Sequence, residues 1–507
     1  MPLDLANPIQ LAIALGPDLI MLTGAMILLV WSAWRPDGAG HQRAVGIGSL
    51  VLTVITGAAV IWYLLRGFHP TAAGVVAVDT YRWLADIILL LGTALTIAMA
   101  VDYNEREGIG SAESHVMLLF GASGMMLLAA ARDLILVFLG IELVSVCVYA
   151  LSAMNRRSVR GAEGALKYFL LGAFATGFLL YGIALLYGAT GSTNIATIGA
   201  RIVELGVTSS PLILIGVALL LVGFGFKVAL APFHMWAPDV YEGAPTPVTA
   251  YMAASVKAAV FVAFLRVWAE AFPGRFVGWQ GAVIGLAIVT MVAGNVIALL
   301  QRNIKRLLAY SSIAHAGYLL VAIATGTAAG VEALLFYLFA YTLATMGAFA
   351  IVSSVGSLGD SGQRVDDYAG LWGVRPWLAA AMTVFMLALL GFPIIGGIGF
   401  FAKWYVIRAA ITAPTPLVLL AVILVLTSAI SAGYYLYVVM VMFMRPRPAD
   451  AVPVGGGGLT RAVIIASAIL ILALGIYPQP LLDAARAGPE AARRANAAAV
   501  APSPAPR

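Results

Sequence analysis

Apolar residues run along this chain in long unbroken blocks separated by short polar connectors, and almost nowhere do they alternate with polar ones. A helix that crosses a bilayer needs about 20 mostly apolar residues. Scanning for such blocks gives about fourteen, near 11–34, 44–65, 83–101, 114–131, 134–154, 162–187, 211–236, 246–271, 279–300, 307–325, 331–355, 376–410, 417–444 and 462–477. They leave almost no room for a soluble domain. The pattern therefore predicts an all-α polytopic membrane protein.

Two blocks do not read as plain helices. The block 211–236 contains Pro232, and 376–410 contains Gly391, Pro393, Gly396, Gly397 and Gly399, each with a lysine near the interruption. Broken helices in corresponding positions of two halves point to an inverted-repeat transporter, with the freed backbone lining a polar cavity. The expected organisation is helices 1–3 over residues 1–110, a first five-helix repeat over 111–274, a second over 275–445, and a last helix with a tail over 446–507. The match is imperfect, since Lys227 precedes its proline and Lys403 follows its own. The run Gly455 to Gly458 reads as a flexible loop, and the Ala- and Pro-rich stretch from Ala484 as a mobile tail.

Composition sharpens this picture by exclusion. Of 507 residues, 62% are hydrophobic and 10% charged, too few polar groups to cover a soluble protein of this size. Cys147 is the single cysteine, so neither a disulfide framework nor the thiolates of an iron-sulfur cluster can come from this chain. No phosphate-cradling Gly-Lys-Ser/Thr loop is present, and Gly223 and Gly225 lie within an apolar run where close helix packing is their use. The net charge of +6 comes from arginines in short loops and the tail, which speaks for membrane orientation and against a nucleic-acid partner.

With alternating helices, Arg35, Arg43, Arg106, Arg156, Arg157, Arg160, Arg302, Lys305, Arg306, Arg364, Arg375, Arg445, Arg447 and Arg461 share one side. The other side receives few, including Arg66, Arg82, Arg132, Arg201 and Arg275. The positive-inside rule then places both termini in the periplasm of a bacterial inner membrane. Arg486, Arg493 and Arg494 in the tail run against it. Met1 to Gln10 lacks the basic start of a cleaved signal peptide, so the first apolar segment is expected to stay.

Charges deep inside spanning helices cost about 2.5 to 3.5 kcal/mol each on insertion scales, so each needs a partner or a role. Glu142, Lys227, Lys257 and Lys403 lie beyond easy snorkelling depth, and His315 is similarly deep. Structural pairing of helices is the plain alternative. An acid, several bases and an imidazole with no metal-ligand spacing suit stepwise proton transfer better than redox or hydrolytic chemistry. Lys167 is shallower, where either snorkelling or proton transfer fits, and His234 near a helix end divides the same way. Asp86, Asp133, Glu270 and Arg408 read as interface charges, and Arg266 as able to reach the interface. Tyr310, Ser311 and Ser312 beside His315 suit hydrogen bonding between helices.

The stretch 224–251, FGFKVALAPFHMWAPDVYEGAPTPVTAY, resembles the signature of the proton-conducting, antiporter-like membrane subunits of respiratory complex I, the NADH-quinone oxidoreductase. Further matches are IELVSVCVYAL around Glu142, EGALKYFLLGAFATG around Lys167, NIKRLLAYSSIAHAGY around His315 and GFPIIGGIGFFAKWYV around Lys403. Within that family the chain is most similar to subunit N, since it stops after about fourteen helices with no long lateral helix. The resemblance implies that Glu142 and Lys227 form a regulating ion pair, that Lys257 relays protons along the membrane axis, and that Lys403 ends the path. Lys167 and His315 match further family positions. It also implies no cofactor or metal here, with NADH, flavin mononucleotide, iron-sulfur clusters and quinone held by partner subunits. The partners implied are the neighbouring antiporter-like and small membrane subunits. A multi-subunit cation/proton antiporter or a membrane-bound hydrogenase is the alternative assembly.

Overall fold

Helices form wherever the apolar blocks predicted them, because in lipid a backbone can satisfy its polar groups only internally. The computed structural model describes residues 2–35, 38–70, 74–206, 210–272, 277–356, 359, 361–393 and 397–488, with backbone alone at 277 and 278. Gly274, Arg275, Gly396, Arg493 and Arg494 lie outside them, as does the tail from 489 onward.

Among the described residues, 12 helices are long and apolar enough to cross a membrane, and the shorter apolar helices Pro211–Lys227 and Pro376–Leu390 join them. Shorter helices such as Ile195–Glu204 and Ala237–Gly243 lie between them, and the strand pairing among the described residues is minor, a two-residue parallel match of Pro2–Leu3 with His69–Pro70. Between Glu113 and Ala271 run Glu113–Ala130, Leu134–Ser152, Val159–Thr190, Pro211–Lys227 and the segment from Thr246 to Ala271. Between Val277 and Met444 run Val277–Ala298, Ile304–Ala324, Ala328–Ser354, Pro376–Leu390 with Gly397–Ile411, and Val418–Met444. In each group the fourth member is the broken one.

The two breaks have local causes. Pro211–Lys227 stops where Ala229 takes a left-handed conformation, φ 58°, and the chain turns past Pro232 before resuming as Ala237–Gly243. Pro376–Leu390 stops at Gly391, φ 79°, a conformation that a side chain would resist. A third irregularity was not foreseen: a π-helical turn, Met252–Val256, delivers the chain into Lys257–Ala271. Such turns recur at functional sites because the extra residue re-aims side chains.

Loop contacts gather the basic connectors at one end of the bundle. Arg43 pairs with Glu105, Arg106 reaches Ser353, Thr460 N donates to Asp102, and Arg306 pairs with Glu242. The opposite end holds Arg132, Asp79 and Glu270. Leu3 and Arg486, near the two chain ends, both lie there, through the pairing with Pro70 and an ion pair to Glu332. Two loop expectations change. Residues 479–488 form a helix with Leu482 and Ala485 buried, so the first residues of the stretch from Ala484, as far as 488, pack as helix; the rest lies outside the described residues. The Gly455 to Gly458 run is likewise pinned, since Gly455 N donates to Ser354 O at 2.9 Å.

Candidate functional site

Lys227 is the last residue of its helix and is 6% exposed. The last turn of a helix presents unpaired carbonyls and a partial negative charge, which favours a cation there. Its Nζ donates to Ser145 Oγ at 2.7 Å and to the Tyr149 hydroxyl at 3.2 Å. Glu142, Ser145 and Tyr149 are three and seven residues apart on Leu134–Ser152, so all three project from one face. The Glu142 carboxylate accepts from Thr176 Oγ1 at 2.8 Å instead of from the lysine. No ion pair within 4 Å joins Glu142 to Lys227 among the described residues. In place of the direct contact that the family resemblance implied, the two groups meet different hydroxyls, Glu142 that of Thr176 and Lys227 that of Ser145, which itself donates to Ile141 O.

Lys257 is 2% exposed, and its Nζ donates to Ser312 O at 2.7 Å and to Ser312 Oγ. The neighbouring Ser311 hydroxyl bonds the Tyr435 hydroxyl, which in turn meets His315 Nε2 at 3.2 Å. His315 Nδ1 bonds the Tyr337 hydroxyl at 2.7 Å. Ser311, Ser312, His315 and Tyr318 come from the single helix Ile304–Ala324, spaced so that they line one side of it. The cross-helix bonding expected of Ser311 and Ser312 is thus present.

Lys403 lies beyond Tyr318, with its Nζ 4.8 Å from that ring's centroid. Tyr318 is held by Asn295 Nδ2 at 2.9 Å, and Asn295 Oδ1 by the Tyr434 hydroxyl at 3.0 Å. Nζ of Lys403 donates to Leu390 O at 2.8 Å, a carbonyl released by the break at Gly391. This resolves the mismatch in the sequence. Lys227 precedes its break and Lys403 follows its own, yet both residues meet the C-terminal end of the first half-helix, Lys227 as its last residue and Lys403 through Leu390 O. Lys227, Lys257 and Lys403 are held by hydroxyl and carbonyl dipoles, and none of the three has a carboxylate within ion-pair distance among the described residues; a fourth buried lysine, Lys305, read from the sequence as a loop cation, donates to Ala244 O at the basic end.

The shallower candidates occupy the basic end. Lys167 is half-exposed and pairs with Glu163 at 2.7 Å and Asp239 at 2.9 Å. Asp239 also accepts from Arg306 at 2.7 Å. Burial alone would raise the Asp239 carboxyl, but the hydrogen bonds and charges of Lys167 and Arg306 win and hold it below the usual carboxylate range. His234, partly buried, has its ring 6.5 Å from that of Tyr310. Asp133 caps Leu134–Ser152 through Ile135 N, and Arg408 is exposed near a helix end, as interface charges should be.

At the opposite end the structure corrects three readings. Arg266 does not reach the interface: it is 4% exposed and grips both oxygens of Asp79, at 2.8 and 3.0 Å. Glu270 bridges Arg266 and Arg132, at 3.3 and 2.9 Å. Asp86 is fully buried, 3.5 Å from the Arg82 guanidinium, which also holds Asp18. These groups were missed because their partners come from other helices. Arg82/Asp86 and Arg266/Glu270 are nonetheless four apart, an opposite-charge spacing visible in the sequence that marks a shared helical face.

A family model described as "NADH:quinone oxidoreductase/Mrp antiporter, TM" matches residues 131–431. NADH-quinone oxidoreductase subunit N of Gemmatimonas aurantiaca is 50% identical over 481 residues, covering 93% of this chain and 92% of the relative. The subunit of the same name from Trichlorobacter lovleyi is 46% identical over 425 residues, covering 83% and 85%. The chain belongs to the subunit N branch of this antiporter-like membrane family. Among solved structures, a chain of respiratory complex I from Thermus thermophilus superposes with a TM-score of 0.78 at 38% identity, covering 93% of this chain and 100% of that one. A chain of the Mrp complex from Dietzia sp. gives 0.81 at 21% identity, covering 96% and 99%, a likeness of fold alone. As an antiporter-like subunit N, the chain carries its buried lysines within the 131–431 region.

Proposed function

We propose that this chain translocates protons across a bacterial inner membrane as subunit N of NADH-quinone oxidoreductase, driven by electron transfer in other subunits. The observation that carries the reading is that three of the buried lysines, Lys227, Lys257 and Lys403, are held by neutral dipoles and have no acid partner within ion-pair distance among the described residues. A lysine in a dry site exchanges its proton readily, whereas an arginine does not. His315, with one hydroxyl on each ring nitrogen, is placed to pass a proton between Lys257 and Lys403. Water entering during the cycle carries the step from Lys227 to Lys257. Glu142, one turn from the Lys227 amine, closes onto it or withdraws and so sets whether that amine keeps its proton.

Lys167 and Asp239 form the mouth at the basic end, which the arginine excess assigns to the cytoplasm, with both termini periplasmic. The redox centres and quinone chemistry belong to partner subunits, in keeping with the lone Cys147. The test is proton translocation per NADH oxidised in assembled complexes carrying Lys257→Ala. A severe loss at equal assembly supports the reading, and normal stoichiometry overturns it. Reporter fusions at the C-terminus test the orientation separately, since activity confined to cytoplasmic reporters would reverse it.

A further inference from the structure

We infer that the basic end carries a binding site for the phosphate headgroup of an anionic phospholipid, built by Arg375 and Arg461 between the helices Pro376–Leu390 and Gly458–Ile476. A cavity of about 290 Å³ opens there, lined by these two arginines with Ser354, Trp377, Gly455 and Gly456, and with no acidic side chain. Both arginines are exposed, and among the described residues neither side chain makes a hydrogen bond or ion pair. Their neighbours at the same end are engaged: Arg445 with Asp366, and Arg447 with the carbonyls of Asp367, Ala369 and Val452. Two unpaired guanidiniums facing one acid-free cavity form a site for an anion with several acceptor oxygens.

The surroundings raise the positive potential and identify the source of the phosphate. Both helices begin at the cavity, Pro376–Leu390 with Arg375 as its N-cap residue and Gly458–Ile476 with Arg461 in its first turns; Asp102 already caps the second through Thr460 N, so only the partial positive end of Pro376–Leu390 adds to the guanidinium charges. A free phosphate ion would need nothing further. Below Arg461, however, Ile465, Ile469, Leu472 and Ile476 follow at spacings of four, four, three and four residues, all exposed at 38% or more. They form one stripe running from the charged rim toward the far end of the helix. Trp377, 41% exposed, sits at the same rim, the depth at which amphipathic rings favour a membrane surface. Charge at the top and a continuous apolar track beneath fit a molecule with an anionic head and acyl chains, and basic pockets between spanning helices recognise such heads.

The test uses the assembled complex in mild detergent, with retained lipids counted by native mass spectrometry and short-chain phosphatidylglycerol, phosphatidylcholine and inorganic phosphate titrated separately. Wild type is expected to hold phosphatidylglycerol, and Arg375→Gln with Arg461→Gln to bind it about tenfold or more weakly. The Arg375→Lys with Arg461→Lys pair is expected to keep most of the binding, which separates charge recognition from general damage. Equal phosphatidylglycerol binding by the glutamine variant overturns the site. Displacement of the lipid by inorganic phosphate alone overturns the lipid assignment in favour of a free-anion site. Loss of a neighbouring subunit with no change in bound lipid overturns it in favour of an interface between subunits.

Discussion

Lys257 and Arg266 are nine residues apart on one helix, and both are buried, at 2% and 4% exposure. About 13 Å of helix separates them, and the fold treats them in opposite ways. Around Lys257 it supplies a serine hydroxyl and a carbonyl and no acid. Around Arg266 it supplies Asp79 on two oxygens and Glu270 one turn away. A guanidinium is permanently charged and stays in a dry interior only with anions beside it, whereas a lysine can give its proton up. The fold thus surrounds the guanidinium with carboxylates and, among the described residues, places none against the Lys257 amine, the contrast that the proposed movement of the lysine's proton requires.

The comparison is most easily broken at the arginine. Arg266→Ala leaves Asp79 without its ion-pair partner, while Glu270 keeps Arg132, at a cost of about 3 to 5 kcal/mol, and is expected to abolish assembly on native gels. Lys257→Met leaves no orphaned anion and should assemble normally. Equal assembly defects in the two variants would mean that both buried cations hold the fold together alike.

Function should show the reverse order. With assembly matched, Lys257→Met is expected to lower protons moved per NADH by at least about tenfold, the scale of losing a positioned proton-transfer group. Glu142→Gln and Lys227→Ala should each act severely, and their combination much less than additively, because one coupled unit can be disabled only once. Strictly additive losses would separate the two residues.

A smaller effect is expected at the hydroxyl that holds the Lys227 amine. Ser145→Ala removes the hydrogen bond to Lys227 Nζ, worth about 1 kcal/mol, while leaving both charged partners. Translocation should fall, by less than in Lys227→Ala, and an effect as large as that of Lys227→Ala would make Ser145 an obligate carrier instead of a spacer.

The smallest effect belongs to Lys167, half-exposed among Glu163 and Asp239. Lys167→Ala is expected to lower stability slightly at low ionic strength and not at all in high salt. Because the Asp239 carboxyl is held below the usual carboxylate range, the stability it adds is complete above that range and is lost as acid takes the pH down through it. Thermal unfolding at several salt concentrations and pH values reads both trends, and a salt-independent loss would place Lys167 in a drier setting than its surface ion pairs indicate.

The sequence alone determined the number and rough placement of the spanning helices, the two broken ones and the depth of Glu142, Lys227, Lys257, His315 and Lys403, because lipid imposes helix length and penalises every charge one residue at a time. Local signals also set the breaks, at Ala229 with Pro232 and at Gly391. What the sequence could not determine was who meets whom across helices. That Lys227 meets Ser145 while Glu142 meets Thr176, that Lys403 reaches back to Leu390 O, and that Arg266 finds Asp79 187 residues away all depend on how helices rotate against one another. Helix rotation in a bilayer is decided by packing at Gly and Ala contacts and by polar groups seeking partners, since the surrounding lipid is as apolar as the helices themselves and gives no preferred face.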